Sequence, residues 1–167
     1  MTARVRAATP ADVDDVFRLI GALASYEHLS ADVTGTRDSL REHLFGSRRY
    51  AEVLLAELDA RTIGFALFFH SYSTFRTAPG LYLEDLFVEP EQRRRGVGTA
   101  LLARVARLAV ERGCARLEWA VLDWNASAIA FYGQHGADVL PDWRLCRVTG
   151  DALARLAERA RGGVSPL

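Results

Sequence analysis

Apolar residues follow two different periods along this chain, and the periods predict its helices and strands. Val13, Val16 and Ile20 recur at the spacing of one helix face, and Thr9 before Pro10 is typical of a helix start. Apolar runs bounded by turn residues predict strands. The predicted strands cover residues 4–8, 52–58, 62–71, 81–88, 117–123 and 143–148. The first predicted helix begins near Thr9. Four further helices are predicted over residues 36–45, 99–112, 127–135 and 151–161.

The order of these elements predicts an α/β fold. Residues 59–61 join two strands at hairpin spacing, which implies antiparallel pairing. The long helix at 99–112 is too long for a hairpin, so it must cross between parallel strands. We therefore expect one domain over residues 1–167, with a mixed, mostly antiparallel sheet and helices on both faces. No repeat or linker divides it.

The composition excludes several classes of protein. The 21 basic side chains balance 21 acidic ones, which argues against a general nucleic-acid binder. All 21 are arginine, so a Walker-type phosphate loop and a Schiff-base enzyme, which both need lysine, are ruled out. No apolar run is long enough to span a membrane, and no signal segment opens the chain. We expect a soluble, cytoplasmic protein.

The distribution of charge and of metal-ligand residues adds two expectations. Residues 1–92 carry 9 Arg and 14 acids, whereas residues 93–167 carry 12 Arg and 7 acids. This split suggests an anion at the second half and a cation at the first. Cys114 and Cys146 lie outside any metal-ligand spacing and are expected to be buried, inert thiols. The four histidines show no such spacing either, so no metal is expected.

The segment from Arg93 to Gly98, with the sequence RRRGVG, lies between a strand and a helix. Its glycines allow close approach of the backbone to an anion, and helix N–H groups point the same way. The functional interpretation is a diphosphate site. Two alternatives remain: a glycine-rich turn without a ligand, and a dinucleotide-binding loop. The second is disfavoured because Leu101 stands where a third glycine is needed.

Arg-x-x-Gly-x-Gly after an apolar strand resembles the acetyl-CoA loop of the GNAT acetyltransferase superfamily. Three more segments resemble its diamine (spermidine/spermine) and thialysine N-acetyltransferases: residues 81–88 (LYLEDLFV), residues 124–132 (WNASAIAFY) and the pair Tyr26-Glu27. The likeness continues through residues 136–137 and 143–145, so it covers nearly the whole chain in order.

The resemblance implies a GNAT fold, whose sheet contains a parallel, splayed pair of strands. It also implies acetyl-CoA as co-substrate, a homodimer, and direct transfer of the acetyl group to a primary amine of a small cationic substrate in a ternary complex.

Such an amine has a pKa near 10.4, so its attack requires a proton acceptor. Glu84 is that candidate, because burial in an apolar strand would raise its pKa. The alternative is that Glu84 lies on the solvated face.

The remaining site residues come mainly from the resemblance. Tyr132 donates to the departing thiolate in that family, although without the resemblance Phe131-Tyr132 in a short helix is more often a core aromatic pair. Asn125 is either a ligand contact or a helix cap. Asp142 lies near a family acid, but the chain is about two residues shorter there. The expected cofactor contacts are Leu86, Phe87, Val88, Arg93, Arg94, Arg95, Gly96, Val97, Gly98, Thr99, Asn125, Ser127 and Tyr132. The expected substrate contacts are Tyr26, Glu27, Glu84 and Asp142.

Two alternatives remain open for the activity. One is acetylation of another amine, such as an amino acid, an aminoglycoside or a protein N-terminus. The other is a non-catalytic acyl-CoA sensor that keeps the cofactor loop but needs neither Glu84 nor Tyr132.

Overall fold

A computed structural model describes residues 3–162. The chain divides into two compact units, with the boundary in the sequence between Ala120 and Val121. One domain over the whole chain stays a prediction. The first unit contains β1 (Arg4–Ala7), α1 (Val13–Tyr26), α2 (Arg37–Phe45), β2 (Glu52–Leu58), β3 (Arg61–Ser73), β4 (Ala78–Val88), α3 (Val97–Glu111) and β5 (Leu117–Glu118). The second contains α4 (Ala126–Gln134) and α5 (Gly150–Glu158).

The five strands form one mixed sheet in the order β1-β2-β3-β4-β5. The first four pair antiparallel, and Asp59 and Ala60 turn the β2–β3 hairpin with positive φ angles of 50° and 62°. β4 and β5 pair in parallel through Leu81–Leu117 and Tyr82–Glu118, after which β4 continues to Val88 without this partner. The predicted mixed sheet with a splayed parallel pair is confirmed.

Helices cover both faces of the sheet. On one face, Val16 and Leu19 of α1 and Leu44 of α2 pack against inward-facing strand residues. Leu54, Ala56 and Ala66 alternate with those residues and are also buried, so they belong to the opposite face, which α3 covers. The strand residues of the first cluster are Val53, Leu55, Phe65 and Phe87.

Two predicted strands are wrong in whole or in part. Residues 117–123 form a strand only through Glu118, and residues 143–148 form none. Both segments have apolar residues at suitable positions, but a strand also needs a neighbour for its backbone hydrogen bonds. Within residues 3–162 no ladder reaches residues 143–148. The expected burial of both thiols is wrong as well: Cys114 is half-buried and Cys146 is exposed.

The helices match their predicted positions within a few residues. Thr36 caps α2 by accepting a hydrogen bond from the Ser39 N–H at 3.2 Å. Gly113 follows α3 with φ of +66°, a conformation that suits glycine and ends the helix. No helix within the described residues has the length and apolar character needed to cross a membrane.

A half-buried ion cluster joins β1, β2 and the start of α1. The Arg6 guanidinium donates to both oxygens of Asp12, at 2.8 and 2.7 Å, and to Glu57. Asp12 also accepts hydrogen bonds from the backbone N–H and hydroxyl of Thr9, each at 2.7 Å. Hydrogen bonding to Arg6 holds the pKa of Asp12 well below its usual range. The cluster therefore stabilises the fold through an ionised Asp12.

We expect Asp12→Asn to lower the free energy of unfolding by about 1–3 kcal/mol at pH 7, because Arg6 and Thr9 lose a charged acceptor. Since the folded pKa lies below the unfolded value near 3.9, this stabilisation is present above about pH 4 and is lost as the pH falls. Urea unfolding at pH 7 and in acid measures the difference. Asp14→Asn, at an exposed position of α1, is the control. Equal losses at both pH values would contradict the assignment.

Candidate active site

The loop between β4 and α3 has the backbone geometry of an anion-binding turn. Arg94 and Gly96 adopt left-handed conformations, with φ of 61° and 78°, and α3 begins at Val97. The N–H groups in the first turn of a helix lack partners within it and carry a partial positive charge. Arg94 and Arg95 are exposed beside this turn. The loop thus suits the diphosphate of an acyl-CoA.

Arg93 has a different environment from its two neighbours. Its Nε donates to the Val88 carbonyl at 2.9 Å. Its guanidinium carbon lies 4.3 Å from the centre of the Tyr26 ring and 5.6 Å from that of Phe87. The first arginine of the loop is therefore engaged with β4 and with the end of α1.

A buried carboxylate fixes the base of the loop. Glu89 follows β4 directly and is only 7% exposed. Its two oxygens pair with Arg18 of α1 at 2.7 Å and with Arg61 of β3 at 2.8 Å. Its N–H also bonds to the Ile63 carbonyl at 2.9 Å. These bonds hold the end of β4 against two other elements. Sequence reasoning missed Glu89, which only its position after the strand could have indicated.

A β-bulge separates the two carboxylates of β4. The register passes from Leu67–Asp85 to Phe68–Leu83, so Glu84 has no partner residue in β3. Glu84 is exposed, so the expectation that it lies buried in an apolar strand is wrong. Burial acts instead on Asp85, raising its pKa to about 7 with help from the negative charges of Glu84 and Glu27. Alternation along a strand puts Glu84 and Asp85 on opposite faces, and the sequence alone did not single out Asp85.

Tyr26 and Glu27 lie where α1 ends. The turn is closed by the Leu29 N–H, which bonds to the Ala24 carbonyl at 2.8 Å, and His28 adopts a left-handed conformation. Burial raises the pKa of the Glu27 carboxyl. Because Glu27 also raises the pKa of Asp85, their carboxylates lie within electrostatic reach of each other. The first unit therefore brings together Glu27, Glu84 and Asp85, an arrangement that favours a bound cation.

The second unit holds the other predicted site residues. Asn125 caps α4, since its Oδ1 accepts from the Ala128 N–H at 3.2 Å and from the Ser127 hydroxyl at 3.1 Å. The helix-cap interpretation of Asn125 is thus confirmed, and its ligand contact stays a prediction. The Tyr132 ring packs edge-on against the Phe131 ring, with 5.3 Å between the two ring centres. Asp142 lies in an exposed turn.

The sequence matches the acetyltransferase (GNAT) family over residues 20–137. An L-ornithine N5-acetyltransferase from Arabidopsis thaliana is 36% identical over 92% of this chain and 87% of its own length. A thialysine N-epsilon-acetyltransferase from Bos taurus is 36% identical over 92% of this chain and 96% of its own. The human spermidine/spermine N(1)-acetyltransferase-like protein 1 is 29% identical over 92% of this chain and 24% of its own.

Solved structures share the fold. An integron cassette protein from Vibrio cholerae superposes with a TM-score of 0.79 at 23% identity, covering 95% of this chain and 99% of that one. An aminoglycoside acetyltransferase from a soil metagenome, in complex with sisomicin, superposes with a TM-score of 0.74 at 15% identity, covering 88% and 97%. At such identities these likenesses establish the fold alone.

The mixed sheet and these matches define an acetyltransferase fold. The chain belongs to the GNAT family and is an N-acetyltransferase. GNAT acetyltransferases use acetyl-CoA as their co-substrate.

We expect Asp85→Asn to stabilise the fold by about 1–3 kcal/mol at pH 8, because ionising a buried carboxyl beside two others costs free energy. The folded pKa, about 7, lies above the unfolded value. The destabilisation by Asp85 therefore grows as the pH rises from about 4 to 7, and it vanishes in acid.

Urea unfolding at pH 8 and pH 4 tests this expectation. Asp32→Asn, at an exposed position, serves as the matched control and should change stability equally little at both pH values. A loss of stability in Asp85→Asn at pH 8 would show that the carboxylate is instead well solvated or paired.

Proposed function

We propose that the chain transfers the acetyl group of acetyl-CoA to a primary amine of a small cationic substrate, a di- or polyamine or a lysine-like amino acid. The observation that carries this proposal is the cluster of Glu27, Glu84 and Asp85, in which burial, and then the negative charges of Glu84 and Glu27, raise the pKa of Asp85. The related ornithine, thialysine and spermidine/spermine enzymes are named for substrates with more than one amino group. Such amines carry the charge that this cluster lacks.

The acid cluster binds the substrate by charge. Within residues 3–162 no arginine pairs with these three carboxylates, so they repel one another, and a second ammonium group of the substrate offsets that repulsion. Within the described residues, ion pairs instead hold the carboxylates of Asp12, Glu52 and Glu89. We therefore assign substrate selection to Glu27 and the β4 pair, with Tyr26 beside them. Asp142 remains a proposed substrate contact from the family resemblance.

Glu84 and Asp85 take the proton from the attacking amine. An alkylammonium releases its proton near pH 10.4, so an acceptor with a raised pKa is better matched than an ordinary carboxylate. The negative charge of Glu84 helps to raise the pKa of its neighbour Asp85, and we assign the proton to these two carboxylates together. Glu84, exposed in the bulge, accepts it directly or through water. The neutral amine then attacks in a ternary complex, with no covalent enzyme intermediate.

The donor side uses the end of β4 and the loop. Bound acetyl-CoA supplies an activated thioester. Successive N–H groups point to opposite edges of a strand, and that of Glu89 points to β3, so those of Leu86 and Val88 lie on the edge without β5 and donate to the negative charge that develops on the acetyl oxygen, with Phe87 between them. Arg94, Arg95 and the backbone from Gly96 to Thr99 bind the diphosphate. Asn125 keeps its Nδ2 donor for a carbonyl of the pantetheine arm, since its Oδ1 caps α4. Ser127 lies beside it, and Tyr132 donates its proton to the departing sulfur. We also propose a homodimer, on the family resemblance.

A thiol-release assay with acetyl-CoA and amines of graded length and charge tests the substrate class. We expect turnover of diamines and dibasic amino acids, and little with monoamines. Glu27→Gln should raise the KM of a diamine about tenfold, because one charge-assisted contact is lost, and should change the KM of a monoamine little. Glu42→Gln, an exposed acid on α2, is the control. Binding of acetyl-CoA without thiol release from any amine would contradict the proposal.

We expect Tyr132→Phe to lower kcat about 100-fold at pH 7, because the sulfur loses its proton donor. The affinity for acetyl-CoA, measured by calorimetry, should stay unchanged. Tyr72→Phe, at an exposed position of β3, controls for loss of a tyrosine hydroxyl. Wild-type turnover in Tyr132→Phe would remove this residue from the reaction.

A further inference from the structure

The side chain of Arg93 connects its own loop to two elements of the first unit, β4 and the end of α1. Its Nε donates to the carbonyl of Val88, the last residue of β4, at 2.9 Å. Its guanidinium lies over the ring of Tyr26, at the end of α1, with 4.3 Å between the guanidinium carbon and the ring centre. The Phe87 ring lies 5.6 Å away. One planar cation thus contacts the strand that carries the acid pair and the helix end that carries Glu27.

The contacts are specific to arginine. A guanidinium can stack on an aromatic face while its edge donates hydrogen bonds, and it loses less hydration than an ammonium. A lysine would keep the charge but would lose either the stacking or the bond to Val88. Arg94 and Arg95 differ: both are exposed, and the structure gives Arg95 only a 3.2 Å bond to Gln92 of the preceding turn.

We infer that Arg93 is a positioning residue that fixes Tyr26 and Glu27 against the end of β4, while Arg94 and Arg95 supply the charge for the diphosphate. Tyr26 is the last residue of α1, and Glu27 follows it directly. Holding the Tyr26 ring therefore sets the distance from Glu27 to Asp85, which already sense each other's charge. This inference rests on the proposed function, because it assigns amine binding to those carboxylates.

Steady-state kinetics with two donors separates the roles of the arginines. S-acetylpantetheine carries the same thioester as acetyl-CoA but lacks the diphosphate and the nucleotide. The variants are Arg93→Gln and Arg93→Lys, with Arg94→Gln as the matched control. Thermal unfolding first establishes that each variant is folded.

We expect both Arg93 variants to lower kcat/KM for a diamine about tenfold with either donor, since an aromatic–cation contact is lost on the amine side. Arg94→Gln should raise the KM of acetyl-CoA about fivefold and leave the KM of S-acetylpantetheine unchanged. If the loss in Arg93→Gln disappears with S-acetylpantetheine, or if Arg93→Lys behaves as wild type, Arg93 is a phosphate ligand and the inference fails.

Amide hydrogen exchange tests the same inference without turnover. In Arg93→Gln the amides of Glu27 and Leu29, which bond to the carbonyls of Leu23 and Ala24, should exchange faster, and in Arg94→Gln they should not. If exchange is faster in Arg93→Gln but the wild-type protein acetylates no amine, the proposed function fails and the positioning role stands. Unchanged exchange in Arg93→Gln would overturn the positioning role whatever the activity.

Discussion

The unequal pairing of β4 is the constraint on which the rest of the first unit depends. Along one edge β4 pairs with β3 almost without interruption, from Ala78 to Val88. Along the other edge its ladder with β5 ends at Tyr82. Because β4 has no second neighbouring strand beyond Tyr82, its last residues need stabilising contacts from other elements. Phe87 in the core and Glu89 between Arg18 and Arg61 supply that hold, and they leave the strand end rigid where the loop begins.

The carboxylates of the first unit divide into two groups by their partners. Asp12 and Glu89 are buried, each accepts from arginine, and each joins separate elements. Asp85 is half-buried, and its pKa is raised by burial and by the negative charges of two other acids, Glu84 and Glu27. The same residue type thus stabilises the fold at position 12 and destabilises it at position 85. A buried charge left without an opposite charge is typical of a binding or catalytic site.

The sequence predicted the regular elements well because their signals are local. The strand at Glu52–Leu58 and the helix with Thr36 as its cap depend on periodicity and on one side chain. The bulge at Glu84 could not be predicted, because it depends on register against Phe68, which has no local signal. The strand at 143–148 failed for the related reason that apolar alternation does not show whether a partner strand is present.

The candidate site was predicted unevenly for physical reasons of the same kind. The loop at 93–98 and the pair at 26–27 were singled out from motifs, and in the structure Gly96 of the loop adopts a left-handed conformation. The sequence did not predict that Glu84 is exposed and Asp85 is the more buried of the two. Alternation places the two side chains on opposite faces of the strand but does not say which face other elements cover. The role of Arg93 depends on a contact with Tyr26, 67 positions earlier, and a motif that treats three arginines alike cannot reveal it.

The absence of lysine therefore has different consequences at different positions. At Arg94 and Arg95 an exposed positive charge is what the loop requires, and an ammonium would supply it too. At Arg6 and Arg112 the guanidinium spans both oxygens of a carboxylate, on Asp12 and on Glu52 respectively, a geometry that a single ammonium does not reproduce. At Arg93 stacking and hydrogen bonding occur together. Three of these five positions thus need arginine for its shape, whatever the reason that the whole chain contains no lysine.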